Sequence, residues 1–196
     1  ENESAPTVSL STSASSIAEN SSSTITVTGT LSGATYEQVS VSLSASGTAA
    51  SGDYAMLTTL TIAAGATTGT VVFDPADDSI FEVDETAIID IDSVSGGGAS
   101  ENGSQQETIT ITNDESAPTV TLASSSSSIA ENAGSSLTLT ASLSGATYQD
   151  VSVAISTSGT ATENTDYSTI SDITISAGST SGTASFTPTD DSTFEG

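Results

Sequence analysis

The sequence contains no lysine, arginine, histidine, cysteine or tryptophan. Because no side chain carries a positive charge, nothing can neutralise phosphate groups, which excludes nucleic acid as a direct partner and disfavours anionic membrane surfaces. Without histidine or cysteine there is no usual zinc site, no thiolate nucleophile and no Ser-His-Asp triad. These absences remove most catalytic chemistry, so we expect that the protein is not an enzyme.

Acidic residues dominate the charge. Asp and Glu together number 25, which gives a formal net charge of −25 over 196 residues. Such a charge repels itself in a compact fold unless counter-ions bind, so cations are the expected partners. No apolar run approaches the length of a membrane span, and we therefore expect no membrane insertion of this segment and place any export signal or anchor outside it.

The chain repeats itself. Residues 1–49 and 113–161 align without a gap, with 31 identical positions. Farther along, the segment Phe73–Ser79 matches Phe186–Ser192. A period of about 112 residues is too long for a solenoid repeat and corresponds to one sandwich domain per copy.

We predict two domains from this repetition: a first repeat with its exit linker at residues 1–115, and a second, incomplete repeat at 116–196. Gly196 corresponds to Val83, so the second copy lacks counterparts of the strands expected within Thr86–Thr112. A sandwich without those strands leaves an apolar face open to water. We expect that the parent chain continues, with strands supplied by another subunit as the alternative.

Apolar residues alternate with serine and threonine in most segments, for example at Ile25, Val27 and Leu31 and at Val39 and Val41. A period of two is typical of a strand with one buried face and one wet face. About seven such strands fit each full repeat, separated by Gly, Ser and Asn turns. The sequence therefore predicts an all-β fold of tandem seven-stranded, immunoglobulin-like antiparallel β-sandwiches.

Carboxylates concentrate in a few predicted turns of the first repeat. In an antiparallel sandwich, alternate loops lie at the same end of the domain, so these turns converge with the exit linker. A cluster of oxygen ligands of this kind is what a hard cation such as Ca²⁺ requires. The acids concerned are Glu19, Asp53, Asp77, Asp78, Glu82, Asp84, Glu85, Asp114 and Glu115.

The sequence resembles the Calx-beta domain family, which is common as tandem arrays in large bacterial surface proteins. The resemblance covers the first repeat and the second up to Gly196. It lies in four motifs, taken in order: Ala18-Glu19-Asn20; Gly47-Thr48-Ala49 with Gly52-Asp53-Tyr54; Leu60 to Gly65; and Asp77-Asp78-Ser79-Ile80-Phe81-Glu82-Val83-Asp84-Glu85-Thr86.

In calcium-binding members of this family the ions lie at the C-terminal tip of the sandwich. The resemblance implies Glu19, Asp53, Asp77, Asp78, Glu82, Glu85, Asp114 and Glu115 as ligands in the first repeat. It implies Glu131, Asp166, Asp190, Asp191 and Glu195 in the second, where the exit linker is missing. Ser79 and Asn113 replace acids of the binding members, which implies fewer or weaker ions.

We expect a structural role, as a repeat module of a long extracellular stalk, fibre or adhesin on the cell surface or in a biofilm matrix, with calcium holding consecutive repeats in line. The alternative is a binding module that recognises a glycan or a surface, or that self-associates with identical neighbouring chains into a filament. The Gly-Asp-Tyr and Gly-Ala-Thr-Tyr motifs of both copies predict tyrosines that act as packing anchors at strand ends.

Overall fold

A computed structural model describes residues 3–56 and 58–192, and strands dominate its secondary structure. The chain divides into two compact units. The first comprises Glu1–Asp78 and Val83–Asp114, and the second comprises Ser79–Glu82 and Glu115–Gly196. The predicted ligand Glu195 lies outside the described residues. In the part of the chain that the structure describes, no helix is long and apolar enough to cross a membrane.

The strands follow one another along the chain with short turns between most of them. The strands before the acidic turn are β1 (Thr7–Thr12), β2 (Ser16–Ala18), β3 (Ile25–Leu31), β4 (Val39–Gly47), β5 (Tyr54–Met56), β6 (Thr59–Ile62) and β7 (Thr68–Pro75). The next four are β8 (Ile80–Phe81), β9 (Glu85–Ser95), β10 (Ser100–Glu101) and β11 (Gln106–Thr112). The remaining elements are β12 (Val120–Ser124), a 3₁₀ helix (Glu131–Ala133), β13 (Leu137–Leu143), β14 (Ala146–Thr147), β15 (Val151–Val153), β16 (Ile173–Ile175) and β17 (Ser181–Phe186).

The first unit is a sandwich of two five-stranded sheets, which confirms the predicted fold class. One sheet has the strand order β10-β1-β3-β7-β5 and the other has the order β2-β11-β9-β4-β6. The seven strands expected from the alternation are all present, and they pair antiparallel. The short strands β2, β5 and β10 add to the sheet edges, and β2 and β10 pair in parallel with β11 and β1.

The core of the first unit is formed by the inward positions of both sheets. Strand β3 alternates strictly between buried and half-buried residues, as its period of two predicts. Each large aliphatic side chain buried in this way contributes about 1.5–3 kcal/mol. The fully buried large residues of this unit are Val8, Ile25, Val27, Val39, Leu43, Leu60, Ile62, Phe73, Ile89 and Ile109.

The second unit contains a smaller core, formed around Ile173 and Ile175. Strand β12 shows the difference between the copies. Its Val120 and Leu122 are 45% and 55% exposed, whereas their counterparts Val8 and Leu10 in the first unit are buried. In the described part of the second unit, no strands correspond to β9 and β11.

The prediction of tyrosine anchors is correct for one motif and wrong for the other. The ring of Tyr54 stacks on Phe73 with centroids 4.6 Å apart, and Tyr167 stacks on Phe186 at 4.9 Å. Tyr36, by contrast, is 83% exposed. The Gly-Ala-Thr-Tyr motif of the first copy therefore presents its ring to solvent instead of packing it.

Candidate metal centre

The loop after β4 is held against the start of β9 by a glycine. Gly47 has a φ of 118°, and a Cβ atom there would lie 2.1 Å from the carbonyl oxygen of Thr86, so a side chain cannot be accommodated. The amides of Thr48 and Ala49 donate to that same Thr86 carbonyl oxygen at 2.9 and 3.0 Å. The loop between β4 and β5 is therefore fixed close to Glu85, the first residue of β9.

Asp53 lies in that loop and fastens it to the segment after β7. One carboxylate oxygen of Asp53 accepts a hydrogen bond from the amide of Ala50, which closes the turn. Its carbonyl oxygen accepts from the amide of Ala76 at 2.9 Å. Burial and, second, the neighbouring charge of Asp53 raise the pKa of the Tyr54 hydroxyl. The carboxylate is thus held in place at the beginning of the acidic turn.

Parallel pairing of β2 with β11 places Glu19 beside the exit linker. Ala18 pairs with Thr112, and the amide of Glu19 donates to the Thr112 carbonyl oxygen at 3.1 Å. Glu19 is only 6% exposed, and its Oε1 accepts a hydrogen bond from the amide of Asp114 at 3.1 Å. Carboxylates this deeply buried are rare unless a partner or a cation compensates their charge.

Two groups of three carboxylates result from these contacts. Within each group, one oxygen from every residue lies within 4.8 Å of the others. The first group contains one buried, one exposed and one half-buried residue, and all three residues of the second group are half-buried. The groups are Glu19, Asp114 and Glu115, and Asp53, Glu82 and Glu85.

The chemistry and spacing of both groups fit a hard divalent cation. Ca²⁺ binds six to eight oxygens at about 2.3–2.6 Å, so two of its ligand oxygens are at most about 5 Å apart. The carboxylate oxygens of each group lie within 4.8 Å of one another, which satisfies this geometry. Three carboxylates close together repel one another, and the whole chain offers no basic side chain that could offset the repulsion. Bound Ca²⁺ would supply the missing positive charge.

Six of the eight ligands predicted in the first repeat occur in these groups. The other two, Asp77 and Asp78, are exposed and belong to neither group among the described residues. They follow Ala76, the first residue after β7, whose amide donates to the carbonyl oxygen of Asp53. Whether they bind an ion stays a prediction.

The second unit repeats part of this arrangement. The Asp166 carbonyl oxygen accepts from the amide of Thr189 at 2.9 Å, which reproduces the bond between Asp53 and Ala76. The Oε1 atom of Glu131 accepts from the amide of Asp191 at 3.2 Å. Within the residues described for this unit, Glu131, Asp166, Asp190 and Asp191 form no group of three carboxylates that meets the 4.8 Å limit.

Two residues near the first group were absent from the predicted ligands. The side-chain amide of Asn20 donates to the carboxylate of Asp114, and Oδ1 of Asp84 accepts from the amide of Asn113 at 3.3 Å. Both bonds orient the exit linker. The repetition of Glu19-Asn20 as Glu131-Asn132 is the sequence signal that indicates the role of Asn20.

The fold and the acidic groups define a β-sandwich repeat with a candidate cation site at one end. The family model of the Calx-beta domain matches residues 1–116 and 113–196. The chain therefore belongs to the Calx-beta domain family, in two tandem copies. A search of the curated proteins found no match.

Solved structures of Calx domains are similar to this chain. The apo form of the Calx CBD1 domain shares 20% identity, with a TM-score of 0.48, over 57% of this chain and 100% of that one. CBD12 of CALX1.2 shares 19% identity, with a TM-score of 0.45, over 91% of this chain and 73% of that one. The calcium binding domain CBD12 of CALX1.1 shares 18% identity, with a TM-score of 0.45, over 90% and 73%.

Proposed function

We propose that this chain is a calcium-binding repeat module of a long extracellular stalk, fibre or adhesin. The observation that carries the proposal is the pair of three-carboxylate groups, in a chain without a single basic residue. Membership of the Calx-beta family supports the same ion. Glu19, Asp114 and Glu115 would hold one Ca²⁺, and Asp53, Glu82 and Glu85 another.

Binding can be tested by calorimetric titration of the 1–196 chain with CaCl₂. The double variant Asp53→Asn with Glu85→Gln keeps side-chain shape and removes two charges from one group. We expect it to lose one class of bound ion, which appears as a lower stoichiometry. The matched control is Asp74→Asn with Glu37→Gln, two exposed acids outside both groups. Equal titrations of the two double variants would remove the second group from the proposal.

We propose an extracellular role, which fits weak calcium sites of this kind. Calcium modules outside cells have dissociation constants of about 10⁻⁴ to 10⁻³ M, which match calcium levels there and not those of the cytosol. We propose that the ions stiffen the connection between consecutive repeats, because Asp114 and Glu115 are the last residues before the second copy. Small-angle scattering should show a longer, stiffer particle in about 10 mM CaCl₂ than in chelator. Identical scattering curves would contradict the stalk role and leave calcium binding untouched.

A second candidate function is self-association through strand completion. It is favoured by the exposed Val120 and Leu122 of β12. Strands from another chain with the alternating isoleucines of β9 and β11 would cover this face as those strands cover Val8 and Leu10 in the first unit. Analytical ultracentrifugation distinguishes the candidates, since a module that acts only as a spacer stays monomeric at tens of micromolar.

A further inference from the structure

The short strand β8 extends one edge of the second unit. In the second unit, β8 pairs in parallel with β14, with Ile80 opposite Ala146 and Phe81 opposite Thr147. The amide of Tyr148 donates to the carbonyl oxygen of Phe81 at 3.2 Å. The segment Ser79–Glu82 therefore adds a strand to the Ala-Thr-Tyr edge of this unit.

The first unit contains the same edge in the same conformation. Its Gly33-Ala34-Thr35-Tyr36 repeats the sequence of residues 145–148. The hydroxyl of Thr35 donates to the carbonyl oxygen of Glu37 at 2.7 Å, and the amide of Gly65 donates to the Thr35 carbonyl oxygen at 2.8 Å. The corresponding bonds of Thr147, to Gln149 and from Gly178, have identical lengths of 2.7 and 2.8 Å. The edge is therefore already formed in both copies.

The edge of the first unit is open. Tyr36 is 83% exposed, whereas Tyr148, whose edge is paired with β8, is 37% exposed. Ala34 is exposed, while its counterpart Ala146 is half-buried. Among residues 3–56 and 58–192, the amide of Tyr36 has no backbone partner. A cavity of about 880 Å³ lies along this edge, between residues 3–6, residues 32–36 and Gly97-Gly98.

The extending segment also occurs in both copies. Ser79-Ile80-Phe81-Glu82 returns as the sequence Ser-Thr-Phe-Glu that begins at Ser192. Each repeat thus carries the sequence of one such segment and of one such edge. The structure contains one such pair, β8 with β14. The edge of the first unit has no such partner among the described residues, so a segment from another repeat can pair with it.

We propose that the Gly33–Tyr36 edge binds the Ser-Xaa-Phe-Glu segment of another Calx-beta repeat as an added parallel strand. Backbone hydrogen bonds from the edge supply the pairing, and the phenylalanine ring enters the cavity beside Tyr36. Such a contact links repeats head to tail. This proposed contact is independent of calcium binding, because it can form without an ion.

The test uses a peptide with the sequence of residues 77–84 as the probe and the same peptide with Phe81→Ala as its control. Each is fused to the N-terminus of the 1–196 chain through a flexible Gly/Ser linker, which keeps its local concentration near the millimolar range. Hydrogen exchange of the Tyr36 amide is then measured by NMR in chelator. We expect exchange to slow about tenfold or more in the fusion that carries phenylalanine and to stay unchanged in the control.

A second pair of variants places the contact at the proposed edge. Tyr36→Ala in the phenylalanine fusion should abolish most of the protection of the backbone around residue 36, whereas Tyr148→Ala should preserve it. Equal exchange in the phenylalanine and alanine fusions would overturn the proposal. Protection confined to residues outside 33–37 would overturn it as well.

Discussion

At the scale of single residues, buried and half-buried carboxylates lie close together without any basic side chain to accompany them. Glu19 is the deepest of them, and its carboxylate accepts a hydrogen bond from the amide of Asp114. Asp53 uses one oxygen to close its own turn. Hydrogen bonds of this kind orient a carboxylate without neutralising it, so the charge remains to be compensated by an ion.

Replacing Glu19 with glutamine should separate the charge of this residue from its hydrogen bond. The glutamine oxygen can still accept from the Asp114 amide, so in chelator we expect the free energy of unfolding to stay constant or rise as repulsion falls. In about 10 mM CaCl₂ we expect a loss of about 1 kcal/mol or more relative to the parent. Urea unfolding in both buffers measures the two effects. A variant stabilised by calcium as strongly as the parent would remove Glu19 from the ligands.

The hydroxyl of Tyr54 predicts a decline in stability at alkaline pH. Its pKa in the folded state is raised above the ordinary value of 10.0 for a tyrosine. The unfolded state therefore loses this proton first, and the contribution to stability that is present below pH 10 is lost as the pH rises through the folded-state pKa. Urea midpoints between pH 8 and pH 11, in chelator, should fall less steeply for Tyr54→Phe than for the parent. The exposed Tyr36→Phe serves as control, and identical slopes for Tyr54→Phe and the parent would contradict the assignment.

At the scale of elements, the β4–β5 loop and the start of β9 carry two of the three acids of the second carboxylate group, and a glycine brings these elements together. Neither element supplies the group alone. Asp53 comes from the loop and Glu85 from β9, and the close approach at Gly47 aligns them. The backbone conformation at Gly47 therefore brings the side chains of Asp53 and Glu85 together.

Gly47→Ala should damage the fold and the site together. The new Cβ would lie 2.1 Å from the Thr86 carbonyl oxygen in a backbone conformation with a φ of 118°. We expect a loss of about 1–3 kcal/mol or more in unfolding free energy, with weaker calcium binding. Gly52→Ala, in the same loop with nothing within 4 Å of its Cβ position, is the matched control. Equal stability of the two variants would show that the approach at Gly47 is not required.

Sequence patterns predicted elements whose cause is local and missed those whose cause is distant. Strand β3 was predictable because its residues alternate over seven positions. Strands β2 and β10 escaped notice because two or three residues carry no period, and they exist only through pairing with β11 and β1. Tyr36 was mistaken for an anchor because its environment depends on which segment pairs with the edge, and that segment is remote in sequence.

The acidic site was likewise predictable only in part. Loop convergence identified the acids that the structure groups, since alternate turns of a sandwich share one end. It could not distinguish Asp53 and Glu85, which face each other, from the exposed Asp77 and Asp78. That distinction follows from the turn closed by the Ala76 amide, and local sequence does not specify this long-range bond.

At the scale of the whole molecule, corresponding strands of the two copies differ in burial. The first unit has two five-stranded sheets and a continuous core. In the second, the described strands leave Val120 and Leu122 in solvent. Val8 and Leu10 are thus buried in the first unit while their counterparts Val120 and Leu122 are exposed, so the local pattern alone does not determine burial.

This difference predicts unequal protection against hydrogen exchange. In a monomeric sample of the 1–196 chain, amides of β3, β4 and β9 should exchange at the rate of global unfolding of the first unit. Amides of β12 and β13 should exchange faster by about tenfold or more, since few buried contacts hold them. Equal protection of both units in a monomer would contradict the prediction that the second unit is held by fewer buried contacts. Equal protection in an oligomer would instead support strand completion by a second chain.

The central claim is that calcium completes the acidic end of the first unit, and its most direct test is the stability of that unit with and without the ion. At a calcium concentration ten times the dissociation constant, one bound ion should add about 1.4 kcal/mol to the free energy of unfolding, and two ions more. Urea unfolding of the 1–196 chain, followed through amides of β3 and β9, should show this increase between chelator and about 10 mM CaCl₂, and MgCl₂ at equal ionic strength should give less. Equal unfolding free energies in chelator and in calcium would contradict the account.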